Sequence, residues 1–448
     1  MASVAEQLAA NINWGVLAKA TELKKRLWFT LGCLVVYRIG TYIPLPGIDA
    51  EVMAQIFAQQ AGGILGMFNV FAGGALERMS VFALGILPYI SASIIIQLMT
   101  AVSPTLEQLK KEGEVGRRKL NQYTRYLTVA LSAFQAYGLA LGLEAMQGPS
   151  GSAVIDPGWF FRATTVITVV GGCLFLMWLG EQITQRGVGN GISLIIYAGI
   201  VAQIPSALAA LLELGRTGAM SPLAIVVFLV VAVAVTAFVV FMERAHRRIV
   251  VQYPKRMVGG GRMVGGEATH MPIKINISGV IPIIFASSLL LLPSSVGGFT
   301  GGQGPDWLLT VTALLGPDQP LYLLLYAALI VFFAFFYTSI IFNPKETAEN
   351  LKKHGGFIPG IRPGERTARY LDYVITRLTV VGAIYLAAVA VLPQILISRY
   401  GLPFFFGGTS LLIVVSVTMD TLAQIQSHLI AHQYEGLIRK ARLRGARR

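Results

Sequence analysis

Long apolar runs without a single charged residue recur along the chain, separated by shorter segments that carry the charges. Each run is close to or longer than the ~20 residues that an α-helix needs to cross a bilayer. Because the runs are continuously apolar rather than alternating, they predict helices and not the strands of a barrel. The runs are Met79–Leu106, Tyr126–Leu143, Ala163–Gly180, Gly187–Leu212, Thr217–Met242, Ile275–Pro305, Gln319–Pro344, Leu378–Ser398 and Tyr400–Met419.

A further apolar run extends from Leu27 to about Tyr42 and is interrupted by Arg38. This arginine lies near one end of the run, where its long side chain can reach the membrane interface. We therefore predict ten transmembrane helices.

The overall composition supports a membrane protein. Hydrophobic residues make up 54% of the chain and charged residues 13%, about half the ~25% charged residues usual in soluble domains. A soluble protein would lack the polar surface to cover such a core, which excludes an ordinary cytosolic enzyme, a disordered chain and a collagen-like fibre. The two cysteines, Cys33 and Cys173, lie in apolar runs, so we predict that they are buried and not bridged. The predicted fold class is an all-α polytopic membrane protein.

Lysine and arginine residues indicate how the chain is oriented in the membrane. They are concentrated before the first apolar run, in segments 107–125, 243–274 and 345–377, and in the C-terminal tail. These segments are alternate connections between the ten predicted helices, and basic residues favour the cytoplasmic side. Both termini are therefore predicted to be cytoplasmic.

The segment Val52–Leu76 is also free of charge, but we do not count it as a span. If it crossed, the basic residues of 107–125 would face outside, and its three glutamines and five glycines also argue against crossing. We interpret it as a short helix that enters from the outside and stops. Such backbone is tolerated at membrane depth only when it is buried in protein or lines a wet cavity. An exposed loop outside the membrane is the alternative.

Motifs typical of enzymes are missing from the sequence. The glycines of Gly187–Gly191 and Gly259–Gly266 do not have the spacing of a dinucleotide-binding turn, and neither run follows a predicted strand. We interpret the first run as flexible backbone at the start of a span and the second as a loop tip. His428 and His432 are four residues apart but lack a third zinc ligand. The sequence therefore predicts neither an enzyme nor a metal site.

Two other features of the sequence, its long basic segments and its pairs of isoleucines, need a functional explanation. The basic segments 107–125, 243–274 and 345–377 are long for a compact transporter, and their charge suits a polyanion or an acidic protein surface. Orientation by positive charge explains their basic residues but not their length. Ile86 and Ile90 form a pair at helical spacing, as do Ile192 and Ile196, so each pair is predicted to share a helix face. The spacing alone leaves lipid, core and pore open as the surroundings of that face.

Seven motifs, in order from about residue 20 to the C-terminus, resemble the SecY family of protein-translocation channels. The motifs are Gly73-Gly-Ala-Leu with Phe82–Gln97, Lys110–Tyr126, Trp178–Ser193, Gly279–Ser288, Phe342–Lys352, Gly360-Ile-Arg-Pro-Gly364 and Gly407–Ile413. So many long motifs in the same order cannot be a chance agreement.

The resemblance implies a fold and a function. The fold would be ten transmembrane helices in two pseudosymmetric, inverted five-helix halves, 1–213 and 214–448, around a central pore. The function would be to pass unfolded secretory polypeptides across the bacterial plasma (inner) membrane and to release transmembrane segments laterally into the bilayer. The resemblance implies no catalytic cofactor. Its implied partners are the small subunits SecE and SecG, the SecA motor ATPase, the ribosome, signal sequences and nascent polypeptides, and the lipid bilayer.

Matching the family's pore positions residue by residue implies an apolar constriction that blocks ions and yields to a peptide. Its residues are Ile86, Ile90, Ile192, Ile196, Ile284 and Ile413. A plug helix at about Ile64–Leu76 would sit outside the constriction and swing away during transport. The plug residues are Ile64, Leu65, Met67, Phe68, Asn69, Val70 and Phe71.

The resemblance also implies a lateral gate, where the second and seventh spans separate to admit a signal sequence. Hydrogen bonds between such helices are worth ~0.6 kcal/mol on average, which is weak enough for a gate to break; packing within a permanent bundle is the alternative. The polar residues of the gate are Ser91, Ser93, Gln97, Ser287 and Ser288.

A docking surface for the motor or the ribosome is implied on the cytoplasmic side. Its residues are Arg247, Arg248, Lys255, Arg256 and Arg362. Lys255 and Arg256 are predicted to lie at the tip of a hairpin, and Arg362 on a short turn formed by its glycine and proline neighbours.

Two other classes of protein fit the sequence less well. A ten-span secondary transporter of a small solute should carry ionisable residues at the membrane midplane, and only Asp420 and Glu181 are close to that description. A purely structural scaffold has no use for re-entrant backbone flanked by glycines.

Overall fold

The computed structural model describes residues 20–60, 69, 72–148, 151–218, 221–253, 256–258, 262–264, 268–299, 314, 319–400 and 408–445. Over these residues the protein is mainly helical. Seven helices are long and apolar enough to cross a membrane, or eight when one bent pair is counted as a span. The apolar helices Thr21–Gly40 and Ile281–Phe299 occupy the two other predicted spans. The prediction of a polytopic helical membrane protein is confirmed, and its ten spans are consistent with the helices present.

The helices fall into fourteen described elements. They are α1 Thr21–Gly40, α2 Ala50–Gln60, α3 Leu87–Val102, α4 Pro104–Lys111, α5 Glu114–Ala145, α6 Trp159–Arg186, α7 Gly191–Val201, α8 Ile204–Arg216, α9 Pro222–Arg244, α10 Ile281–Phe299, α11 Pro320–Ile341, α12 Pro344–Lys353, α13 Glu365–Tyr400 and α14 Gly408–Gly445. The strands are β1 Gln147–Gly148, β2 Gly151–Ser152, β3 His246–Gln252, β4 Arg256–Val258, β5 Arg262–Val264 and β6 Ala268–Lys274.

The chain divides into two compact units. Unit 1 consists of Met1–Ala209, Leu291–Ala313 and Val417–Arg448, and unit 2 consists of Ala210–Leu290 and Leu314–Ser416. The inverted halves 1–213 and 214–448 stay a prediction.

The second span differs from its prediction at both ends. The apolar run begins at Met79, but residues 72–86 form turns that are buried except near Glu77, Arg78 and Val81, and α3 begins at Leu87. Met79 and Gly85 have positive φ angles of 41° and 56°, which no helix accepts, and Pro88 in the first turn has the fixed φ that starts one. Beyond Val102 the chain turns by 100° into α4. The segment 107–125, predicted as a loop, is therefore largely helical.

Unit 1 contains an aromatic stack that joins α1, the turns before α3, and α6. The ring of Phe82 lies between those of Tyr37 and Phe175, with centroid separations of 6.2 and 5.9 Å. Trp178 continues the stack at 5.9 Å from Phe175. Offset aromatic pairs at these distances add to the burial of apolar area, so the turns are packed against helices on two sides.

In unit 2 the two long basic segments share one hydrophobic core. Strands β3 and β6 pair antiparallel over seven residues, and β4 pairs with β5 to extend the hairpin. Gln252 at the end of β3 makes two backbone hydrogen bonds with Phe357, of 2.8 and 2.9 Å. The core residues come from the hairpin, from the segment between α12 and α13, and from α13. They are Ile249, Ile273, Ile358, Leu371 and Ile375.

Candidate functional site

The turns at residues 72–86, which we call the root segment, are anchored to α1 through backbone carbonyls. The Arg38 guanidinium donates to the carbonyl oxygen of Gly73 at 2.8 Å. The Tyr37 hydroxyl donates to the carbonyl oxygen of Ala72 at 3.3 Å. Carbonyls outside a helix need such partners in an apolar environment. Arg38, predicted only to reach the interface, therefore has a structural role that its sequence position did not indicate.

Asn69 ties the start of the root segment into a closed turn. Its side-chain amide donates to the Glu77 carboxylate at 3.1 Å, and its side-chain oxygen accepts from the Glu77 backbone amide at 3.0 Å. Its carbonyl oxygen accepts from the backbone amide of Gly74 at 2.9 Å and from the side-chain amide of Gln203 at 3.0 Å. Asn69 is buried. It was predicted as a plug residue, and here it joins the root segment to the residue just before α8.

Gly73 and Gly199 let the root segment touch α7 backbone to backbone. Gly73 has a φ of +67°, and a Cβ added there would lie 2.7 Å from the Cα of Gly199. A Cβ on Gly199 would in turn lie 3.1 Å from the Cα of Gly73. No side chain fits between the two elements, so both positions require glycine.

The six predicted constriction residues occupy four different places in the fold. Ile86 is the N-cap residue of α3, and the backbone amide of Ile90 in the first turn donates to its carbonyl oxygen at 3.1 Å. The shared helix face of these two side chains stays a prediction. Ile192 and Ile196 lie on α7, as predicted. Ile284 lies on α10 and Ile413 on α14. Five of the six are buried, and Ile192 is half-buried. The constriction itself stays a prediction.

The residues between α6 and α7, 187–190, are not the flexible backbone that their glycines suggested. Gly187, Val188 and Gly189 are buried. The Val188 amide donates to the Thr30 hydroxyl at 3.1 Å, and the Gly191 amide donates to the Thr184 hydroxyl at 2.9 Å. Glycine is present here because neighbouring atoms leave no room for a side chain. A Cβ on Gly191 would lie 1.9 Å from the carbonyl oxygen of Gly180.

The plug residues lie outside the described residues, apart from Asn69. These are Ile64, Leu65, Met67, Phe68, Val70 and Phe71. The predicted plug range ended at Leu76, but Ala72–Leu76 are buried turns of the root segment and not helix. The glycines at 73 and 74 have positive φ angles of 67° and 83°, which is why a helix cannot continue through them.

The predicted gate residues lie on α3 and α10. Gln97 donates to the Ser93 hydroxyl at 3.1 Å, and Ser287 donates to the carbonyl oxygen of Ile284 at 3.0 Å. These bonds run along single helices. Ser91, Ser287 and Ser288 are buried, and Ser93 and Gln97 are half-buried. The separation of the two helices stays a prediction.

The predicted docking residues lie on the hairpin and on a turn of unit 2. Arg247 and Arg248 are exposed on β3, Arg256 begins β4, and Lys255 lies outside the described residues. Arg362 is exposed between Gly360 and Gly364, whose φ angles are +81° and +106°. Its carbonyl oxygen accepts from the Thr367 hydroxyl at 3.0 Å, which fixes the turn against α13.

Two ion pairs between α5 and α6 were missed by the sequence reasoning. Arg125 makes two hydrogen bonds with the carboxylate of Glu181, the longer of them 3.0 Å. Arg162 makes three with Glu144, of 2.6 to 3.1 Å, and the backbone amide of Gly158 adds a fourth. Bidentate pairs of this kind are strong and directional. Glu181, one of the two ionisable residues that a small-solute transporter could have used, is thus bound to an arginine.

Within the part of the chain that the structure describes, no cluster of three or more His, Cys, Asp or Glu side chains could hold a metal ion. The candidate site described above consists of apolar side chains and the hydrogen bonds around them. Such a site can select by width and polarity.

Comparison with known proteins identifies relatives over nearly the whole chain. The family model described as SecY matches residues 80–422. A relative from Escherichia coli (strain K12), a protein translocase subunit SecY, is 56% identical over 425 residues, which covers 95% of this chain and 96% of the relative. A protein translocase subunit SecY from Rickettsia conorii is 54% identical and covers 94% of this chain and 97% of the relative.

Solved structures share the fold at lower identity. One, described as a protein-conducting channel, has a TM-score of 0.65 at 19% identity and covers 90% of this chain and 92% of its own. A second, concerning the plug domain of a SecY protein, has a TM-score of 0.64 at 22% identity with the same coverage. A third is Sec61 in a canine ribosome–channel complex, with a TM-score of 0.60 at 18% identity, also over 90% and 92% of the two chains.

We predict that Gly73→Ala lowers the stability of the protein by about 1–3 kcal/mol, because alanine at a positive φ is strained and its Cβ meets the Cα of Gly199. Gly32→Ala is the matched control. Gly32 lies in α1 with nothing near its added Cβ, so alanine should leave stability unchanged or raise it by about 0.4–1 kcal/mol. Thermal unfolding of the purified protein measures both. Equal melting temperatures for the two variants would contradict the proposed close contact.

Proposed function

The chain belongs to the SecY family, and we propose that it is a protein-conducting channel. It translocates unfolded secretory polypeptides across the plasma membrane and releases transmembrane segments into the bilayer. The observation that carries this proposal is the 56% identity to a translocase subunit across 95% of the chain. The shared fold with a protein-conducting channel supports it. A secondary transporter of small solutes is not supported, because the comparisons agree on translocation proteins.

The constriction is formed by the six isoleucines described above. Apolar side chains around a narrow opening exclude ions by dewetting and bind no peptide sequence strongly. Burial of five of the six supports this role, as does the placement of Ile192 and Ile196 on a short helix fixed at both ends.

The plug is the segment from Ile64 to Phe71, and it closes the channel from the outside at rest. In the SecY structure compared above, the plug domain is described as stabilising the closed state and maintaining a membrane seal. The anchored root segment supports a plug here, because it offers a fixed attachment from which the preceding residues can move.

The lateral gate lies between α3 and α10. Its serines and glutamine are polar enough to interact with a signal sequence. The bonds of Ser287 and Gln97 run along their own helices. Opening the gate therefore leaves these groups satisfied, which keeps the cost of separation low.

The docking surface consists of the β3–β6 hairpin and the turn at Gly360–Gly364. Two backbone hydrogen bonds and a shared hydrophobic core join these segments into one body, so a single partner can contact both. Arginines suit the acidic surface of the SecA motor or the phosphates of ribosomal RNA. A ribosome is bound by the Sec61 channel compared above.

The remaining assignments follow from the family. SecE and SecG are partners within the membrane, and the channel lies in the bacterial inner membrane with both termini in the cytoplasm. The distribution of basic residues supports this orientation.

We predict that Asn at two or more constriction positions, such as Ile192 and Ile196, lets ions leak through the resting channel, because polar side chains hold water in a narrow opening. Resting conductance in planar bilayers is the measurement. Ile167→Asn, at an exposed isoleucine on α6, is the control and should not leak. Unchanged conductance in the double variant would show that these residues do not line the constriction.

Deletion of Ile64–Phe68 should raise the resting leak and leave protein transport largely intact. The deletion stops before Asn69 because the bonds of Asn69 hold the root segment. Conductance and precursor import into vesicles are the two measurements. Complete loss of transport in a normally inserted protein would make the segment part of the channel wall.

Removing the polar groups of the gate, as in Ser91→Ala with Ser287→Ala, should change how hydrophobic a signal sequence must be for export. Export of precursors with graded signal sequences measures this threshold. Ser339→Ala is the control, since that serine is exposed and bonds to its own helix α11. A disulfide between α3 and α10 that locks the helices without reducing export would refute the gate.

Arg362→Lys should preserve topology but impair motor-driven transport, and Arg362→Glu should impair it more, because lysine cannot replace a bidentate guanidinium contact. Lys255→Glu with Arg256→Glu should reduce ribosome binding more strongly. ATP-driven precursor import and a ribosome-binding assay measure these effects. Arg366, the exposed second residue of α13, supplies matched Lys and Glu controls. Wild-type import by both Arg362 variants would leave this arginine with only a role in orientation.

A further inference from the structure

The last helix, α14, holds the loop that starts α7. The side-chain oxygen of Gln424 accepts from the backbone amide of Gly189 at 2.8 Å. Gly189 is buried with a φ of +90°, so its amide points away from any helical partner and needs an acceptor from elsewhere. Gln424 is itself an exposed residue, and its hydrogen bond to the loop is partly buried.

A small apolar cluster reinforces the contact between α14 and the loop. Val188 is packed with Leu429 of α14 and with Leu23 near the start of α1. Ile425, next to Gln424, packs against the same cluster. The loop therefore packs between α1 and α14.

The loop in turn fixes the beginning of α7. Asn190 caps the helix, its side chain accepting from the amide of Ile192 at 3.1 Å. A Cβ on Gly180 would lie 3.2 Å from the side chain of Ile192, so α6 and α7 are in close contact at this point. A shift of the loop would move Ile192 directly.

Gln424 lies on the same helix as Ile413. α14 is continuous from Gly408 to Gly445, and eleven residues of helix separate the two side chains by ~16 Å along its axis. α14 thus carries the predicted constriction residue Ile413. It also carries Gln424, which holds the start of α7 and hence the helix of Ile192 and Ile196.

We propose that Gln424 is a positioning residue for the constriction, which it keeps narrow by holding the Gly189 amide and hence the start of α7. This inference rests on the proposed function, because it assigns no role to Gln424 unless Ile192 and Ile196 line the constriction. Gln424 does not contact the translocating chain and acts through the loop alone.

The test compares variants of Gln424 by resting conductance of the purified channel in planar bilayers. Gln424→Leu has a similar size but no acceptor for the buried Gly189 amide, and the loss of this partly buried hydrogen bond should raise conductance by about fivefold or more. Gln424→Glu keeps an acceptor for the same amide and should remain close to wild type. Gln426→Leu makes the same change two residues along α14 and should not leak. Gln424→Ala serves if the leucine variant does not accumulate.

Ile192→Asn, measured in parallel, separates the two levels of the proposal. If Ile192→Asn leaks and neither Gln424→Leu nor Gln424→Ala does, the role of Gln424 is overturned and the constriction stands. If Gln424→Glu leaks as much as Gln424→Leu, the hydrogen bond is not the cause and the role is again overturned. If no variant leaks, the constriction and the inference both fail. A leak confined to Ile192→Asn, Gln424→Leu and Gln424→Ala supports the inference.

Discussion

Backbone groups that leave a helix at membrane depth must find hydrogen-bond partners inside the protein, and the architecture of unit 1 depends on this constraint. Two segments between its helices, the root segment and the loop at residues 187–190, are mostly buried and irregular. Side chains from distant helices bond both of them. Tyr37 and Arg38 form hydrogen bonds with the root segment, and Thr30 and Gln424 form hydrogen bonds with the loop. The helices are thereby joined through hydrogen bonds to these irregular segments, in addition to the packing of their apolar faces.

Charged side chains also join neighbouring elements of this protein. Arg38 donates to a carbonyl oxygen, while Arg125 and Arg162 each bind a glutamate on a neighbouring helix. Paired guanidinium and carboxylate groups of this kind are directional, so these pairs help to fix how α5 and α6 lie against each other. A transport group would instead need to exchange its partner during each cycle. The fixed pairs therefore agree better with a channel whose selectivity rests on apolar side chains.

Sequence reasoning identified most of what depends on local pattern and missed what depends on distant partners. Apolar runs predicted the helices, because continuous apolarity over ~20 residues has few other structural solutions in a membrane protein. Apolarity could not distinguish a buried turn from a helix, so α3 was predicted to begin at Met79, although Gly85 and Pro88 mark the true start. The loop at 187–190 was predicted to be flexible from its glycines, whereas its partners Thr30 and Gln424 lie 158 and 235 residues away in sequence. No local signal reports such contacts. The plug and the closure of the constriction remain predictions.

The placement of α7 shows how these contacts connect the parts of the candidate site. α7 and α8 are consecutive parts of one candidate span, Gly191–Arg216, and the break between them falls at Gln203. At that end the Gln203 side chain holds Asn69, and Gly199 touches Gly73. At the other end the loop is held by α1 and α14. Because contacts hold α7 at both ends, a shift of Ile192 and Ile196 would also displace the root segment or the loop. α7 is therefore linked to the root segment and to the loop through adjacent contacts, and no long pathway is needed to couple these two segments.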